Sequence, residues 1–483
     1  MWGIELRYKD QVSLSRQIFL SLKESILSGQ LAQGEALPST RELAKGLNVS
    51  RNTVCEAYDM LLAEGFIVSS QGAPTRVADG LHLVTKKTII PMEHKPEPPP
   101  ILWDFKTGQP DLSQFPLKLW GQLMHKSAST MKTSLLEYSG PKGYEPLCEE
   151  IANWLLRSRS MEVNPEDVFI TSGATEALHL LVEILHKDGH KFVLENPSHQ
   201  GIRTVICDKG YDVEWLLVDK QGADLSSFKG KNISAVYVTP SHQFPLGGIL
   251  PACRRAELIR LANASNFYII EDDYDSEFRY SGFPISPIYS MDTSHTIYVG
   301  TFSKTLFPAL RIGFVVLPKQ LQRKWRHHRN YMDVQNPILE QITLTDFLHM
   351  RKIDKHIARM RKVYGDKREI LLHAIKDIFG NTVQPWGDAS GLHIALQFAG
   401  LEFEEKFISK CKEAGIKLSS VAQYCPMKNI HKDKLLLGYG HLNHQQIIDG
   451  IRALHEVITT SDTTSDLTSD SVKRLESSDS GKR

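Results

Sequence analysis

The residues with the clearest chemical capacity lie in the run Thr301-Phe302-Ser303-Lys304, followed by Arg311 and preceded by Glu271-Asp272-Asp273-Tyr274. A lysine amine condenses with an aldehyde and, once freed, acts as a base. A carboxylate such as Asp272 keeps a pyridine nitrogen protonated, so that the ring withdraws electrons. Hydroxyls (Thr301, Ser303) and a guanidinium (Arg311) bind phosphate, and the Tyr274 phenol can hydrogen-bond a ring oxygen. Each of these residues alone reads as a surface group or a helix cap. Taken together, each serves a different part of pyridoxal 5′-phosphate (PLP), with Lys304 as the catalytic amine.

Elements must bring these groups together. Asp167–Thr171 reads as a strand, Ser172-Gly173-Ala174-Thr175 as a turn, and a helix follows from Glu176. Such a turn aims the Gly173 and Ala174 amides and a helix dipole at an anion. Asp272 stands at the end of the apolar strand Phe267–Ile270, where open α/β sheets place ligand groups. Further short apolar runs, at Lys191–Glu195, Ala235–Thr239, Ile297–Gly300 and Gly313–Leu317, alternate with longer amphipathic segments. That alternation predicts an α/β domain with a mainly parallel sheet.

The first eighty residues have a different character. Leu14, Ile18, Leu22 and Ile26 share one face of a helix over Ser13–Ser28. Ser39, with Glu42 three residues on, caps a second helix. Ser50 caps a third, Arg51 to Ala63, which turns Val54, Tyr58, Leu61 and Leu62 inward. Phe66–Ser69 and Thr75–Val77 pair as a hairpin around Gln71-Gly72-Ala73-Pro74. The pattern is a winged helix-turn-helix, and Arg51, Asn52 and Thr53 begin the helix that meets base edges.

Composition sets the frame. A chain of 483 residues needs two or three domains, and its net charge of +1 means that any DNA-binding surface is local. Six scattered cysteines without a Cys-x-x-Cys pair argue against zinc ribbons and disulfide frameworks, and no metal is expected. Met1–Glu5 lacks a signal pattern and no apolar run spans a bilayer, so the expected location is the cytoplasm, without membrane contact. The expected domains are 1–80 (winged helix-turn-helix), 81–102 (a Pro-rich linker that lets the heads move), 103–458 (the PLP-binding domain) and 459–483 (a disordered tail rich in Ser, Thr and Asp).

Residues 11–78 closely resemble the GntR family of DNA-binding domains, through Leu37-Pro38-Ser39-Thr40-Arg41, Val49-Ser50-Arg51-Asn52-Thr53-Val54, Glu64-Gly65 and Gly72-Ala73-Pro74-Thr75. The resemblance implies operator contacts by Arg41, Ser50, Arg51 and Thr53, with Gln71 and Gly72 at the wing tip. Residues 103–458 resemble fold-type I aminotransferases, through the PLP set and through Leu136-Glu137-Tyr138, Gly143-Tyr144-Glu145-Pro146-Leu147 and Pro245-Leu246-Gly247. This implies a homodimer, head-to-tail, in which Tyr138 reaches the neighbouring subunit's cofactor. The fusion resembles the MocR/GabR group of bacterial regulators, with RNA polymerase as a further partner.

Departures from the aminotransferase pattern shape the functional expectation. Phe244-Pro245-Leu246-Gly247 stands where an Asn-Pro-x-Gly is common, and leaves His242 or Gln243 to replace the asparagine. His199 falls where an aromatic ring stacks on the cofactor. Leu436 occupies the place of a carboxylate-binding arginine, with Arg203 or Lys434 as replacements. Loss of that bidentate fork weakens the case for an ordinary amino-acid substrate. The favoured expectation is a PLP-dependent transcription regulator that senses an amine, an amino acid or PLP. It has no sustained turnover, and half-transamination is left open. The alternatives are a working aminotransferase with a DNA-binding appendage and a purely structural PLP site.

Overall fold

Ser13, Ser39 and Ser50 each begin a helix in the computed structural model, which describes residues 4–8, 11–70, 72–81, 100–282, 285–387, 390–427 and 430–460. Gln71, most of the expected linker and the tail beyond 460 lie outside the described residues. The chain divides into two compact units, Met1–Glu97 and Pro98–Arg483.

In the first unit, helix α1 (Leu14–Leu27) buries Ile18, Leu22 and Ile26. Helix α2 (Thr40–Leu47) opens with a reciprocal cap. The Glu42 amide donates to Ser39 Oγ at 3.3 Å, and the Ser39 amide donates to Glu42 Oε2 at 2.9 Å. Asn48, in the left-handed conformation, ends the helix and turns the chain into α3 (Arg51–Ala63). Val54, Ala57, Tyr58 and Leu61 of α3 join the core. Leu62, expected to face inward, is 38% exposed. One step past Leu61 rotates a side chain by about 100°, off the buried face. Strands β1 (Ile67–Val68) and β2 (Arg76–Val77) pair antiparallel as the wing.

The second unit is an α/β fold. Helix α4 (Glu145–Arg159) precedes strand β3 (Val168–Thr171), and helix α5 (Ala174–Leu185) follows it directly. Then come β4 (Lys191–Asn196), helix α6 (Gln200–Asp208), β5 (Val213–Asp219), β6 (Gly222–Ala223), β7 (Ile233–Val238), β8 (Tyr268–Asp273), β9 (Thr296–Thr301) and β10 (Gly313–Val316). These strands form one sheet in the order β3-β10-β9-β8-β7-β4-β5-β6. From β9 through β5 the pairs are parallel, and β10 runs antiparallel to both its neighbours. The long helix α7 (Lys352–Phe379) leads to an antiparallel sheet of β11 (Val383–Trp386), β12 (His393–Phe398), β13 (Ser419–Ser420) and β14 (Lys434–Gly438), ordered β11-β12-β14-β13.

The period-2 alternation of a strand decides what each face of the large sheet receives. Tyr237 and Ile270 join one core cluster, whereas Val236, Val238 and Ile269 join another. On β8 this parity sends Asp272 to one face and Glu271 and Asp273 to the other.

Candidate functional site

The C-terminal ends of β8 and β9, the N-terminus of α5 and the start of α6 enclose a cavity of about 510 Å³. Lys304, Asp272, Tyr274, Thr301, Ser303, Arg311, Ala174 and His199 all line it. Lys304 is largely buried, and burial together with Lys106 pulls its amine below the usual lysine range against the pull of Asp275 and Asp272. Such an amine is easier to deprotonate and so more nucleophilic. Gly108, with φ +65°, lies so close that a Cβ there would come within 2.9 Å of Lys304 Nζ.

Asp272 receives a hydrogen bond on Oδ2 from the Tyr237 phenol at 2.6 Å, and its buried Oδ1 has no partner among the described residues. Burial pushes this carboxyl up to about 6 despite the Tyr237 bond, and Asp273 adds to the rise. A buried acceptor left without a donor is costly. A protonated ring nitrogen suits it. At Arg311 the backbone is left-handed (φ 51°), and the exposed guanidinium packs against Gly173, where a Cβ would come within 3.4 Å of it. No protein partner engages this guanidinium among the described residues. Gly173, with φ +100°, is the N-cap of α5, so its amide and that of Ala174 stand at a helix N-terminus beside a cationic fork. Thr301 Oγ1 donates to Ser303 Oγ at 3.1 Å. The donor set therefore fits a phosphate at one side and a pyridine nitrogen at the other.

The N-terminal unit presents a second set. Arg41, Ser50, Arg51 and Gly72 are exposed and Thr53 is half-buried. Gln71 lies outside the described residues. Ser50 Oγ accepts from the Thr53 amide at 3.1 Å, and Arg51 Nε donates to Thr40 Oγ1 at 3.4 Å, which ties the start of α3 to the start of α2 beside Arg41.

Residues 14–77 match the family described as bacterial regulatory proteins, gntR family, and residues 100–422 match aminotransferase class I and II. The HTH-type transcriptional regulator YhdI of Bacillus subtilis is 34% identical over 92% of this chain and 96% of its own. This chain belongs to the HTH-type transcriptional regulators that join a GntR-type domain to an aminotransferase class I/II domain. The probable rhizopine catabolism regulatory protein MocR of Rhizobium meliloti is 29% identical over 92% of the chain and 93% of its own length. Among solved structures, Pyrococcus horikoshii kynurenine aminotransferase in complex with PMP superposes with a TM-score of 0.68 at 25% identity, covering 75% of this chain and 91% of that one.

In this regulator several sequence expectations need correction. Neither His242 nor Gln243 lines the cavity; Phe244 does. The Gln243 amide is consumed internally, donating to Pro197 O and Phe244 O and accepting from the Leu246 amide. His242 is buried, 2.9 Å from Asp275 Oδ1, and the Tyr274 phenol donates to its carbonyl at 2.9 Å. Arg203 and Lys434 stay outside the cavity, and Lys434 pairs with Asp433 at 2.7 Å over the Trp386 ring. Leu436 is fully buried among Val218, Phe244, Leu246, Ala395 and Val421. Among the described residues, Arg311 is thus the one arginine that lines the cavity. His199 lines it too, with Nδ1 accepting from the Gly201 amide at 3.1 Å, and burial and Lys304 hold its imidazole below the usual range, in the neutral form. Tyr138 is 85% exposed and is not part of its own chain's cavity.

Sequence reasoning missed Tyr237, which looks like core in an apolar strand. It missed His393 and Tyr424, which line the cavity from the C-terminal part of the chain. It also missed the grouping of His242, Asp275 and His393, whose ligating atoms come within 4.8 Å of one another.

The described helices include none long and apolar enough to cross a membrane.

Proposed function

We propose that this regulator binds PLP in the cavity around Lys304, reads a small amine or amino acid there, and adjusts its grip on operator DNA in response. When bound, PLP supplies an electrophilic carbon conjugated to an electron-withdrawing ring. Lys304 would tether it, Asp272 would hold the proton on the ring nitrogen, and Tyr274 would bond the ring oxygen by turning its hydroxyl from the His242 carbonyl. Arg311, Thr301, Ser303 and the amides of Gly173 and Ala174 would hold the phosphate, with the neutral His199 ring against the cofactor face. The observation that carries this reading is the meeting, in one cavity, of a partially activated lysine, an unpartnered buried carboxylate oxygen and an unpaired arginine. On the DNA side, Arg51 and Thr53 would meet base edges, Arg41 and Ser50 phosphates, and Gly72, with Gln71, the minor groove.

The likeness to HTH-type regulators over nine-tenths of the chain supports a sensor over an enzyme, and among the described residues of this chain Arg311 alone of the arginines lines the cavity. A substrate carboxylate would lack its bidentate partner once Arg311 engages the phosphate. A head-to-tail homodimer belongs to the same proposal, supported by the exposure of Tyr138, an aromatic free to reach a neighbour. RNA polymerase as a partner and the cytoplasm as the location rest on the regulator reading alone.

The deciding experiment titrates PLP-loaded protein with a panel of amines and amino acids, following the visible spectrum, keto-acid release and operator affinity together. A spectral shift with changed operator affinity and no keto acid is expected. Sustained keto-acid production would establish an aminotransferase instead. Operator affinity that follows PLP and ignores every amine would make PLP itself the signal. Affinity indifferent to both would leave a structural cofactor.

A further inference from the structure

On the other face of β8 lies a second cavity, of about 430 Å³, which the functional reading above does not use. Its walls are the C-terminal end of α4, the segment after β8 and the first turns of α7, and four arginines line it: Arg157, Arg159, Arg279 and Arg361. Arg159 is deeply buried and reaches back to Asp273 at 2.7 Å and to Ser241 Oγ at 3.0 Å, leaving its Nε without a partner among the described residues. Arg157 meets Asp354 at a loose 3.4 Å. Arg361 donates through Nε and Nη2 to the Glu277 carbonyl, at 3.0 and 2.9 Å, which satisfies hydrogens without neutralising charge.

Arg279 and Ser276 complete the case. Among the described residues, the Arg279 Nε is buried and unpartnered, and so is the hydroxyl of Ser276, a residue only 9% exposed. Gly282, at φ +75°, folds over the Arg279 fork so closely that a Cβ there would come within 2.8 Å of Nη2. The lining carboxylates are Glu277 and Asp354. Burial and the nearby Asp273 push the Glu277 carboxyl upward, toward its neutral form. Buried cations and hydroxyls without partners are costly unless something pairs with them. Guanidinium forks match the geometry of tetrahedral oxyanions.

We infer that this cavity binds a small oxyanion of the phosphate class, free or as a phosphomonoester, at a site separate from the one around Lys304. Asp273 and Asp272 are adjacent on β8 and face opposite ways, so such a ligand would sit across the sheet from the proposed cofactor.

The test uses the full chain, saturated with PLP and moved into phosphate-free buffer. Binding of inorganic phosphate and of glycerol phosphate is measured by calorimetry and by phosphorus NMR. Saturable binding is expected that PLP does not compete away, weakened at least about tenfold in Arg279→Gln and in Arg361→Gln. Ser276→Asp, which fills the same space with negative charge and keeps all four arginines, should abolish it and covers the case in which an arginine variant misfolds. Tighter binding of either ligand names the source and supports the site. Absence of saturable binding, competition with PLP, or binding unchanged in folded variants would overturn the inference. Failure of the protein to bind PLP at all would refute the cofactor reading while leaving this test intact.

Discussion

Arg51 and Lys304 are both cations that follow a hydroxyl-bearing turn, and their surroundings could hardly differ more. Arg51 is exposed at the start of α3, held by the Ser50 cap and a long bond to Thr40. Lys304 is mostly buried, facing an unpartnered carboxylate oxygen and a neutral imidazole. An exposed cation is free to meet a partner from outside, so its contribution depends on what docks there. A buried one has its proton affinity altered, so its contribution depends on chemistry. In this regulator the first unit presents groups, and the second unit tunes them.

That contrast can be broken most directly at Lys304. Lys304→Ala is expected to eliminate the visible absorption band of bound PLP; an unchanged band would refute the site assignment. Next comes Asp272→Asn. The Asp272 carboxyl is raised to about 6 in the folded protein, above its value of 3.8 in an unfolded chain. The folded state therefore holds a proton that the unfolded chain releases, and this residue costs stability as pH rises from about 4 through 6. The variant lacks that cost. Without cofactor it should be more stable than the parent at pH 8, by on the order of 2–3 kcal/mol, and no more stable at pH 4. It should also bind PLP more weakly. A pH-independent difference in melting would show that Asp272 is not destabilising through its charge.

Arg51→Ala sharpens the other side. It should cost about 1–3 kcal/mol of operator affinity and leave the cofactor band and the melting temperature unchanged. Retained operator affinity in a gel-shift titration would remove Arg51 from the reading helix. The smallest effect is expected at the α2 cap. Ser39→Ala should destabilise the N-terminal unit by about 1 kcal/mol, visible as an earlier urea transition, with PLP binding untouched.

The caps were legible in the sequence because they are local: Ser39 with Glu42, and Ser50 with Thr53, act within one helical turn. The strands of the large sheet were legible because burial on both faces makes them continuous apolar runs. The residues that line the cavity around Lys304 were legible because their types could divide one chemical task among them. Tyr237 was not, because its bond to Asp272 depends on the register that sets Tyr237 opposite Ile270 and so diagonal to Asp272. His393 was not, because it comes from β12, far along the chain, and meets the cavity only after the C-terminal sheet has formed. Leu62 was misread because α3 has only one buried face, and the step past Leu61 carries the next side chain off it.

Leu436 also constrains the substitutions open to this chain. Its pocket has closed around an aliphatic side chain, with Val218, Phe244, Leu246, Ala395 and Val421 in van der Waals reach. An arginine introduced there would arrive as an orphan charge in an oily socket, at a cost of several kcal/mol. A carboxylate clamp therefore cannot be installed at this position by one substitution. Accommodating it would require hollowing and polarising several positions together, so the packing here resists any single change to a charged group.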